Sequence, residues 1–371
     1  MGSRFGPTPG DITQPKLMSS LSNINVKDIA LTDNCTIVLS KDGEIYTCGS
    51  GSISGLKSPS TVFTKDNLIN NGKAMANEMI TSFAAKGTSL MVATQGKCLF
   101  TLGSNNSGQL AQQYQNSIND ITKVNSFNKE VKLISIADNH TMILTKGNMV
   151  YHCGKNDYYQ NGDNYTGRNN IPKLINLDKQ YTCVSLCTGC DYTLFLMKNK
   201  KDGKVYLFSS GNAEKGRTGQ GKDNKNTFKL IDSNSIRNVE FKSISANKYS
   251  SAAISTEGKL FVWGGNSSGQ LGIGNTSDVY EPQLCSFFEK DYEVEDIQFG
   301  TDFAIVLAKE KKSGMMCVFG MGDSSNGKLG EMMTSKDKEI TTPMRIKFFD
   351  NKNPSKVYVG QKGVIVMKME I

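Results

Sequence analysis

Few residues in this sequence have the types and spacing that catalysis would need. The histidines are His140 and His152, and neither has a nucleophilic partner at a recognisable spacing, so a structural role is the simpler interpretation of both. Cys187 and Cys190 form a Cys-x-x-Cys pair, which is typical of redox or zinc sites. A structural zinc needs four ligands, however, and no second pair follows at a useful spacing. The pair is therefore interpreted as a coincidence within a turn.

Two further patterns also fail as functional sites. The stretch 49–55 is rich in glycine, but it lacks the Lys-Ser/Thr of a phosphate-binding loop and does not begin a helix. Glu293 and Glu295 could act as a pair of carboxylates, but the pattern places them on an exposed connecting segment. The sequence therefore predicts no active site, no metal site, no cofactor and no small-molecule substrate, and it argues against bond-making catalysis.

Composition indicates many short strands joined by turns. The chain has 371 residues, of which 36 are glycine and 37% are hydrophobic, and this profile suits strands and turns better than long helices. No apolar run approaches the roughly 20 residues needed to cross a bilayer. The first residues contain no signal peptide, and most of the nine cysteines stand alone in apolar runs. We therefore expect a soluble intracellular protein that is not bound to a membrane.

The net charge of +8 comes mainly from lysine, since only five of the 43 basic residues are arginine. Lysine gives solvation and long-range attraction to anions, whereas arginine is the residue that reads phosphates and bases bidentately. A solvated lysine-rich surface is therefore favoured over a dedicated nucleic-acid face. Association with nucleic acid or chromatin stays open as the weaker alternative.

One signal recurs along the whole chain, an aromatic-rich strand that ends in glycine and is followed by a short loop of glycine and asparagine. Examples are KLFVWGGNSSGQLGIG and CLFTLGSNNSGQLA. Its period of 51 to 58 residues is typical of a propeller or solenoid built from one supersecondary unit. The strand-ending glycines are Gly49, Gly103, Gly154, Gly211, Gly264 and Gly322.

Each unit contains four segments that read as antiparallel strands. A small apolar strand leads through a tight turn to a second strand, and a hairpin marked by a pair such as Asp42-Gly43 leads to the aromatic strand. A fourth segment often contains proline, which an edge strand tolerates. Such four-stranded units are the blades of a β-propeller. The sequence predicts six of them, over residues 26–70, 79–128, 131–178, 181–235, 239–288 and 292–350.

The two ends of the chain complete the count. Residues 354–371 match the first two strands of a unit, and residues 1–20 match its loop and last strand. We expect these segments to pair in one composite blade, which closes a seven-bladed ring over residues 1–371 as a single domain and removes the open sheet edges. The composite blade lacks an aromatic third strand. A three-stranded blade is favoured over a shortened chain or a partner that fills the gap.

The repeat resembles that of the regulator of chromosome condensation family. The family pattern of aromatic-x-Trp-Gly-x-Asn-x-x-Gly-Gln-Leu-Gly is nearly intact in FVWGGNSSGQLG at 261–272, and part of it is present in FTLGSNNSGQL at 100–110. The resemblance extends over essentially the whole chain, although only Trp263 remains of the expected tryptophans and only His140 of the turn histidines. It implies an all-β, seven-bladed propeller.

The resemblance implies two alternative functions. Many members of the family are adaptors, cytoskeletal or ciliary components, or modules of larger signalling proteins, which implies a platform for protein partners in the cytoplasm or the nucleus. The founder exchanges nucleotide on the small GTPase Ran, so a guanine nucleotide exchange factor for a Ran-type GTPase is the alternative. That exchange uses an enlarged loop after a third strand, whereas the loops after Gly103, Gly154, Gly264 and Gly322 keep the ordinary spacing. Light sensing by clustered tryptophans, as in the plant UV-B branch, is excluded by the single tryptophan.

Strand geometry indicates which residues share a face. The turn between strands one and two and the loop between strands three and four open on the same side of a blade, which in the Ran exchanger faces the GTPase. By their position in the repeat, Asp191, Asp302 and His140 match residues that serve that face. The predicted partner-binding residues are Asn34, Asn139, His140, Asp191, Tyr192, Tyr249, Asp302 and Phe303.

The opposite side of the blades contains two basic hairpins. Because they neighbour the acidic stretch 289–296, their mixed charge suits protein docking but is also ordinary for solvated hairpin tips, and the second interpretation is favoured. The hairpin lysines are Lys198, Lys200, Lys201 and Lys204 in one and Lys309, Lys311 and Lys312 in the other.

Overall fold

The chain forms two compact units. Unit 1 consists mainly of Lys16–Asp157 and Tyr165–Asn176, and unit 2 mainly of Tyr158–Asn164 and Leu177–Ile371. The expectation that residues 1–371 form a single domain stays a prediction. The computed structural model describes residues 15–50, 60–66, 75, 78–113, 116–163, 165–222, 228–330, 339–361 and 363–368.

Unit 1 contains three antiparallel sheets of four strands, in which each strand pairs with the next along the chain. The first sheet consists of β1 (Val26–Leu31), β2 (Cys35–Ser40), β3 (Ile45–Gly49) and β4 (Ser60–Lys65), the second of β5 (Ile80–Lys86), β6 (Ser89–Thr94), β7 (Leu99–Ser104) and β8 (Ser117–Lys123), and the third of β9 (Val131–Ile136), β10 (His140–Thr145), β11 (Val150–Lys155) and β12 (Arg168–Leu174).

Unit 2 contains three sheets of the same kind and one sheet of two strands. The fourth sheet consists of β13 (Tyr181–Gly189), β14 (Tyr192–Asn199), β15 (Val205–Gly211) and β16 (Lys229–Leu230), the fifth of β17 (Phe241–Ala246), β18 (Ser250–Ser255), β19 (Leu260–Gly264) and β20 (Val279–Leu284), the sixth of β21 (Tyr292–Phe299), β22 (Phe303–Glu310), β23 (Met316–Asp323) and β24 (Glu339–Arg345), and the last of β25 (Pro354–Val359) and β26 (Val364–Lys368).

Helical structure in the described residues is limited to very short segments. The α-helical turn α1 (Ser286–Glu289) follows β20. The 3-10 helices are Ser19–Leu21, Glu214–Gly216, Asn234–Ile236, Ser325–Gly327 and Lys347–Phe349. The all-β expectation is therefore confirmed.

Each of the six predicted sequence repeats between residues 26 and 350 forms one four-stranded sheet. The predicted seventh blade is represented by the two strands β25 and β26, so the described residues contain six complete blades and not seven. Residues 15–20 contain no strand, and residues 1–14 lie outside the described residues. Pairing of the two ends of the chain, and the make-up of the composite blade, therefore stay predictions.

The second strand of a sheet is buried on both faces, which explains its continuous apolar sequence. In β6, Leu90 and Val92 pack in a cluster with residues of the first sheet, while Met91 and Ala93 pack in a cluster with residues of the third. Alternate side chains of a strand point to opposite faces, so all of β6 is buried. The fourth strand β12, by contrast, contains no buried residue.

Proline lies in the fourth strands, as expected for strands with one free edge. Within the described residues these strands pair on one side only, so a residue without an amide proton interrupts no sheet hydrogen bond on the other side. Three of the four prolines in the described strands are Pro172 in β12, Pro282 in β20 and Pro343 in β24, which confirms that these segments are edge strands. The other, Pro354, is the first residue of β25.

A glycine lies at or next to the end of each third strand, and its geometry fixes the adjoining loop. Gly264 has a φ of +97°, a left-handed conformation that glycine adopts without strain. A Cβ atom at Gly264 would overlap the carbonyl oxygen of Tyr249, and that oxygen accepts a hydrogen bond of 2.9 Å from the Gly265 amide. The same hydrogen bond joins Ser50 to Asn34, Ser104 to Thr88, Lys155 to Asn139, Asn212 to Asp191 and Asp323 to Asp302.

Replacing Gly264 by alanine should therefore destabilise unit 2 far more than replacing a glycine that has only an unusual φ. Gly264→Ala combines left-handed strain with overlap of the main chain, and we expect a loss of about 3 kcal/mol or more in the free energy of unfolding. Gly203 has a φ of +74° with no atom near its Cβ position, so Gly203→Ala should cost only about 1 kcal/mol. Urea unfolding followed by the fluorescence of the single tryptophan, Trp263, measures both; equal losses would contradict the role of the close contact.

Candidate partner-binding face at the strand turns

In each four-stranded sheet, two residues lie between the paired residues that close the turn from the first strand to the second. In the fifth sheet these are Lys248 and Tyr249, and the Asn247 amide donates to the Ser250 carbonyl across the turn at 3.1 Å. Because the Tyr249 carbonyl also accepts the hydrogen bond from Gly265, the turn and the loop after the third strand lie at the same end of the sheet. The second turn residues of the six sheets are Asn34, Thr88, Asn139, Asp191, Tyr249 and Asp302.

In unit 2 the turns of three successive sheets are linked by hydrogen bonds. The Cys190 amide donates to the Asn247 carbonyl at 3.3 Å. The side-chain amide of Asn247 donates onward to the carbonyls of Phe299 and Gly300, at 2.8 and 2.6 Å. These bonds fix the three turns side by side. We define the unit-2 turn face as the turns 190–191, 248–249 and 301–302 with the loops 212–217 and 323–328.

Tyr249 is surrounded by three cationic side chains. Nζ of Lys215 lies 4.9 Å from the ring centroid, the guanidinium carbon of Arg217 lies 4.5 Å from it, and Nζ of Lys248 lies 5.2 Å from it. Cations at such distances are attracted by the electron-rich face of an aromatic ring. The ring is half-buried and Lys248 is exposed, so a partner protein can reach both.

Arg217 is the buried member of this cluster, with only 1% of its surface exposed. Its Nη1 donates to the Cys190 carbonyl at 2.9 Å, its Nε to the Glu214 carbonyl at 2.9 Å, and its Nη2 to the Glu214 carboxylate at 2.5 Å. A buried cation is tolerated where hydrogen bonds and an opposite charge satisfy it. Arg217 therefore ties the turn of the fourth sheet to Tyr249. Its own carbonyl accepts the indole N–H of Trp263 at 3.1 Å, which gives the lone tryptophan a structural role.

Lys328 lies between two carboxylates on another part of the same face. Its ammonium donates to Asp302 at 3.1 Å and also to the Asp323 carboxylate, and its side chain is 10% exposed. Desolvation raises the pKa of Asp323, but hydrogen bonds from Lys328 and Ser325 outweigh it, so this pKa lies below its ordinary value. Desolvation lowers the pKa of Lys328, but the two carboxylates outweigh it and the net shift is upward. Lys328 is therefore a fully satisfied cation.

Five of the eight predicted partner-binding residues lie where a partner can reach them. Asn34 is exposed and the other four are partly buried. Asp191, Tyr249 and Asp302 lie together on the unit-2 turn face, whereas Asn34 and Asn139 belong to unit 1.

The remaining three predicted residues, His140, Tyr192 and Phe303, are fully buried and cannot contact a partner directly. Each is the first residue of a second strand, and these strands are buried. The Tyr192 hydroxyl donates to the Ser250 carbonyl at 2.9 Å, and burial raises its pKa. The prediction is therefore corrected for these three side chains, which support the turns from beneath.

The seven lysines of the basic hairpins are all exposed. The hairpins join β14 to β15 and β22 to β23, at the strand ends opposite to the turns. Two of the ammonium groups bind the main chain, Lys200 at the Lys179 carbonyl and Lys311 at the Glu289 carbonyl, each at 2.8 Å. Binding of nucleic acid or of a protein at these hairpins stays a prediction.

The predicted partner-binding residues did not include the cations Lys215, Arg217, Lys248 and Lys328. The sequence did contain a signal for Arg217 and Lys328. In several loops the sixth residue after the strand-ending glycine is glutamine, whose side chain closes the loop; that of Gln270 accepts a hydrogen bond from the Ser268 amide at 3.0 Å. Arg217 and Lys328 occupy this position in the fourth and sixth sheets. A charged residue in place of a loop-closing glutamine indicates a local ion pair or a binding function.

The described residues contain no cluster of potential metal ligands, and burial makes the thiols of Cys153 and Cys187 unreactive. None of their His, Cys, Asp and Glu side chains form a group of three that could hold a metal ion. Burial raises the pKa of Cys187 and raises that of Cys153 to about 12, so these thiols are poor sources of the reactive thiolate. No helix within the described residues has the length and apolar character to cross a membrane.

Comparison with known proteins identifies the repeat. A family model for the regulator of chromosome condensation (RCC1) repeat matches residues 257–307, and a second model of this repeat matches residues 131–160 and 241–270. These segments include the loop after Gly264 and the turn that contains Tyr249. These matches confirm the predicted resemblance to the RCC1 repeat family.

Solved structures with the RCC1 fold resemble the chain over nearly its full length. Prp20p of Saccharomyces cerevisiae, the yeast RCC1, matches with a TM-score of 0.80 at 16% identity, covering 99% of this chain and 89% of that one. Human WBSCR16 matches with a TM-score of 0.77 at 17% identity, covering 93% and 87%. These matches confirm the predicted β-propeller fold.

Among curated RCC1 relatives, the X-linked retinitis pigmentosa GTPase regulator of the dog, Canis lupus familiaris, is 32% identical over 151 residues. The match covers 40% of this chain and 14% of that protein. The ultraviolet-B receptor UVR8 of Arabidopsis thaliana is 24% identical over 216 residues, covering 57% and 48%. The chain thus spans a small part of the first relative and about half of the second.

Replacing Lys328 by glutamine, the residue of other loops at this position, should destabilise unit 2 at neutral pH. The change leaves the neighbouring carboxylates Asp302 and Asp323 without their cation, and we expect a loss of about 1 to 2 kcal/mol in the free energy of unfolding. Because the folded pKa of Asp323 lies below the ordinary 3.8, its stabilising effect is complete above that pH and is lost as pH falls through the folded value.

The difference between wild type and Lys328→Gln should therefore be full at pH 6 to 7, by about the amount above, and should shrink below about pH 4. Urea midpoints across this range measure it. Lys309→Gln, which removes an exposed hairpin lysine, is the control and should show no comparable loss. A difference that does not change with pH would contradict the ion-pair account.

Proposed function

We propose that this chain is a non-catalytic protein-interaction platform of the RCC1 type, which binds a partner protein through the unit-2 turn face. The observation that supports this most directly is the half-buried Tyr249 ring with three cations around it. Tyrosine and arginine are enriched at the centres of protein interfaces, where a few residues supply most of the binding energy.

The rigid support of the turns favours the same function. Main-chain hydrogen bonds hold each turn to the loop beside it, and further hydrogen bonds link the three turns of unit 2. Loops held in this way lose little conformational entropy on binding, so more of the interaction energy appears as affinity. Variable side chains on a fixed scaffold are the usual basis of recognition by loops.

The relatives favour a platform within a larger assembly. The match to this chain covers only 14% of the retinitis pigmentosa GTPase regulator. Matches to the mouse kinase Nek9 and the mouse ubiquitin ligase HERC2 cover 21% and 6% of those proteins. In those proteins the similar segment is one part of a longer chain. We infer an intracellular adaptor role for this chain on the same pattern, in the cytoplasm or the nucleus.

Replacing Tyr249 by alanine should remove the contact at the centre of the proposed interface. We expect the affinity for partners bound at this face to fall about 30-fold, as for a typical hot-spot residue. Affinity capture with mass spectrometry first identifies proteins retained by the wild type, and titration calorimetry then measures each with the variant. Tyr206→Ala, the same substitution near a hairpin at the opposite end of the strands, is the matched control. Partners that bind both variants as tightly as wild type would exclude this face.

A second candidate is guanine nucleotide exchange on a Ran-type GTPase. Prp20p has this fold, and its structure was described together with its binding to Gsp1p and histones. Asp191 and Asp302 are carboxylate residues at the turn positions that the family comparison implies. Against exchange, the loops after Gly103, Gly154, Gly264 and Gly322 have no enlarged segment in the sequence.

An exchange assay distinguishes the two candidates. When the chain is mixed with a Ran-type GTPase loaded with fluorescent GDP, we expect the rate of nucleotide release to stay at its intrinsic value. The loops after Gly103, Gly154, Gly264 and Gly322 have no enlarged segment in the sequence that could open the nucleotide site. Stopped-flow fluorescence measures the rate. Faster release that disappears in Asp191→Ala would establish the exchange factor in place of the platform.

A further inference from the structure

Two lysines of the unit-2 turn face differ from Lys328 in their surroundings. Lys328 is bound by the carboxylates of Asp302 and Asp323. Lys215 and Lys248, by contrast, form no ion pair with any residue that the structure describes, and their contacts are with the ring of Tyr249. The face thus contains two cations bound by carboxylates, Arg217 and Lys328, and two lysines that are positioned without an opposite charge.

The ring restricts these two ammonium groups before any ligand arrives. An exposed lysine side chain normally loses conformational freedom when it binds a partner. Both Nζ atoms lie within 5.2 Å of one ring centroid, where attraction to the ring face limits their movement. The guanidinium of the buried Arg217 packs against the same ring. The pair is therefore pre-organised to bind an anion.

The acidic residues near Lys215 and Lys248 indicate which kind of anion can bind to this pair of lysines. Glu214 binds Arg217, and Asp191 lies on the adjacent turn. A continuous phosphate backbone would place negative charge next to both Glu214 and Asp191. The guanidinium of Arg217, the group best suited to bind phosphate, is buried and already bound to Glu214. A peptide reduces this repulsion, because its carboxylates are separate side chains and its main chain is uncharged. In an extended peptide, side chains two residues apart lie about 7 Å from each other, a spacing that two ammonium groups around one ring can match.

We infer that Lys215, Lys248 and the Tyr249 ring form a binding site for an acidic, carboxylate-rich segment of a partner protein. The inference rests on the proposed function, because it names the chemistry of the segment that contacts the turn face. The two ammonium groups bind carboxylates two residues apart, and the ring packs against the peptide between them.

Fluorescence anisotropy with fluorescein-labelled octa-glutamate tests the site on the full chain. The double variant Lys215→Gln/Lys248→Gln should bind this probe about tenfold more weakly than wild type. Lys309→Gln/Lys312→Gln removes the same charge from an exposed hairpin and should change the affinity less than about twofold, since salt screens distant charges. Tyr249→Phe keeps the ring face and should bind like wild type, whereas Tyr249→Leu should bind more weakly.

Three outcomes would overturn the inference. The first is no binding of octa-glutamate by the wild type, and the second is an equal loss in the two double variants, which would indicate general attraction to a basic protein. The third is binding of an oligothymidylate of eight nucleotides, lost in Lys215→Gln/Lys248→Gln, without binding of octa-glutamate; this would assign the site to nucleic acid. Equal urea midpoints for all variants show that the chains are folded.

Two results distinguish an incorrect acidic-segment site from an incorrect partner-binding face. If octa-glutamate does not bind but captured partners still depend on Tyr249, the platform stands and the acidic segment is wrong. If captured partners are unaffected by Tyr249→Ala, the platform at this face is wrong whatever the behaviour of the probe.

Discussion

The hydrogen bond between the carbonyl of the second turn residue and the amide that follows the strand-ending glycine sets the geometry at the turn end of each four-stranded sheet. It recurs in all six four-stranded sheets, and at Gly264 it forms only because no Cβ atom separates the two segments. The positive φ of the glycine then directs the chain into the loop that contains Arg217 in one sheet and Lys328 in another. One achiral residue per repeat therefore brings two distant segments of each sheet to the same end.

Because that bond joins main-chain atoms, it places little demand on the side chain of the turn residue. The six positions accordingly contain asparagine, threonine, aspartate and tyrosine. The hydrogen bond is kept even at Asp191, which alone of the six has a left-handed φ of +60°. Residues after the turn have no such freedom, because they begin a strand that is buried on both faces. Binding chemistry can therefore change at one position while the next position keeps the fold.

The sequence predicted the strands, their order and the edge position of the prolines, because these depend on local patterns that repeat every blade. It also placed Asp191, Tyr249 and Asp302 at the turns. It did not predict that Tyr192, Phe303 and His140 are buried, since burial depends on the neighbouring sheet. The cations around Tyr249 were missed for a similar reason, because Lys215 and Lys248 come from different sheets and meet only in the folded chain.

The buried thiols have a consequence for how the two units can be observed. Cys35 and Cys153 lie in unit 1, and Cys285 and Cys317 lie in unit 2, all of them buried. At neutral pH a thiol such as Cys153, with a pKa of about 12, is almost wholly protonated and resists oxidants and alkylating reagents. Such a group becomes reactive when its surroundings open. The rate at which each of these four buried cysteines is alkylated in the native protein therefore reports the local opening of its own unit.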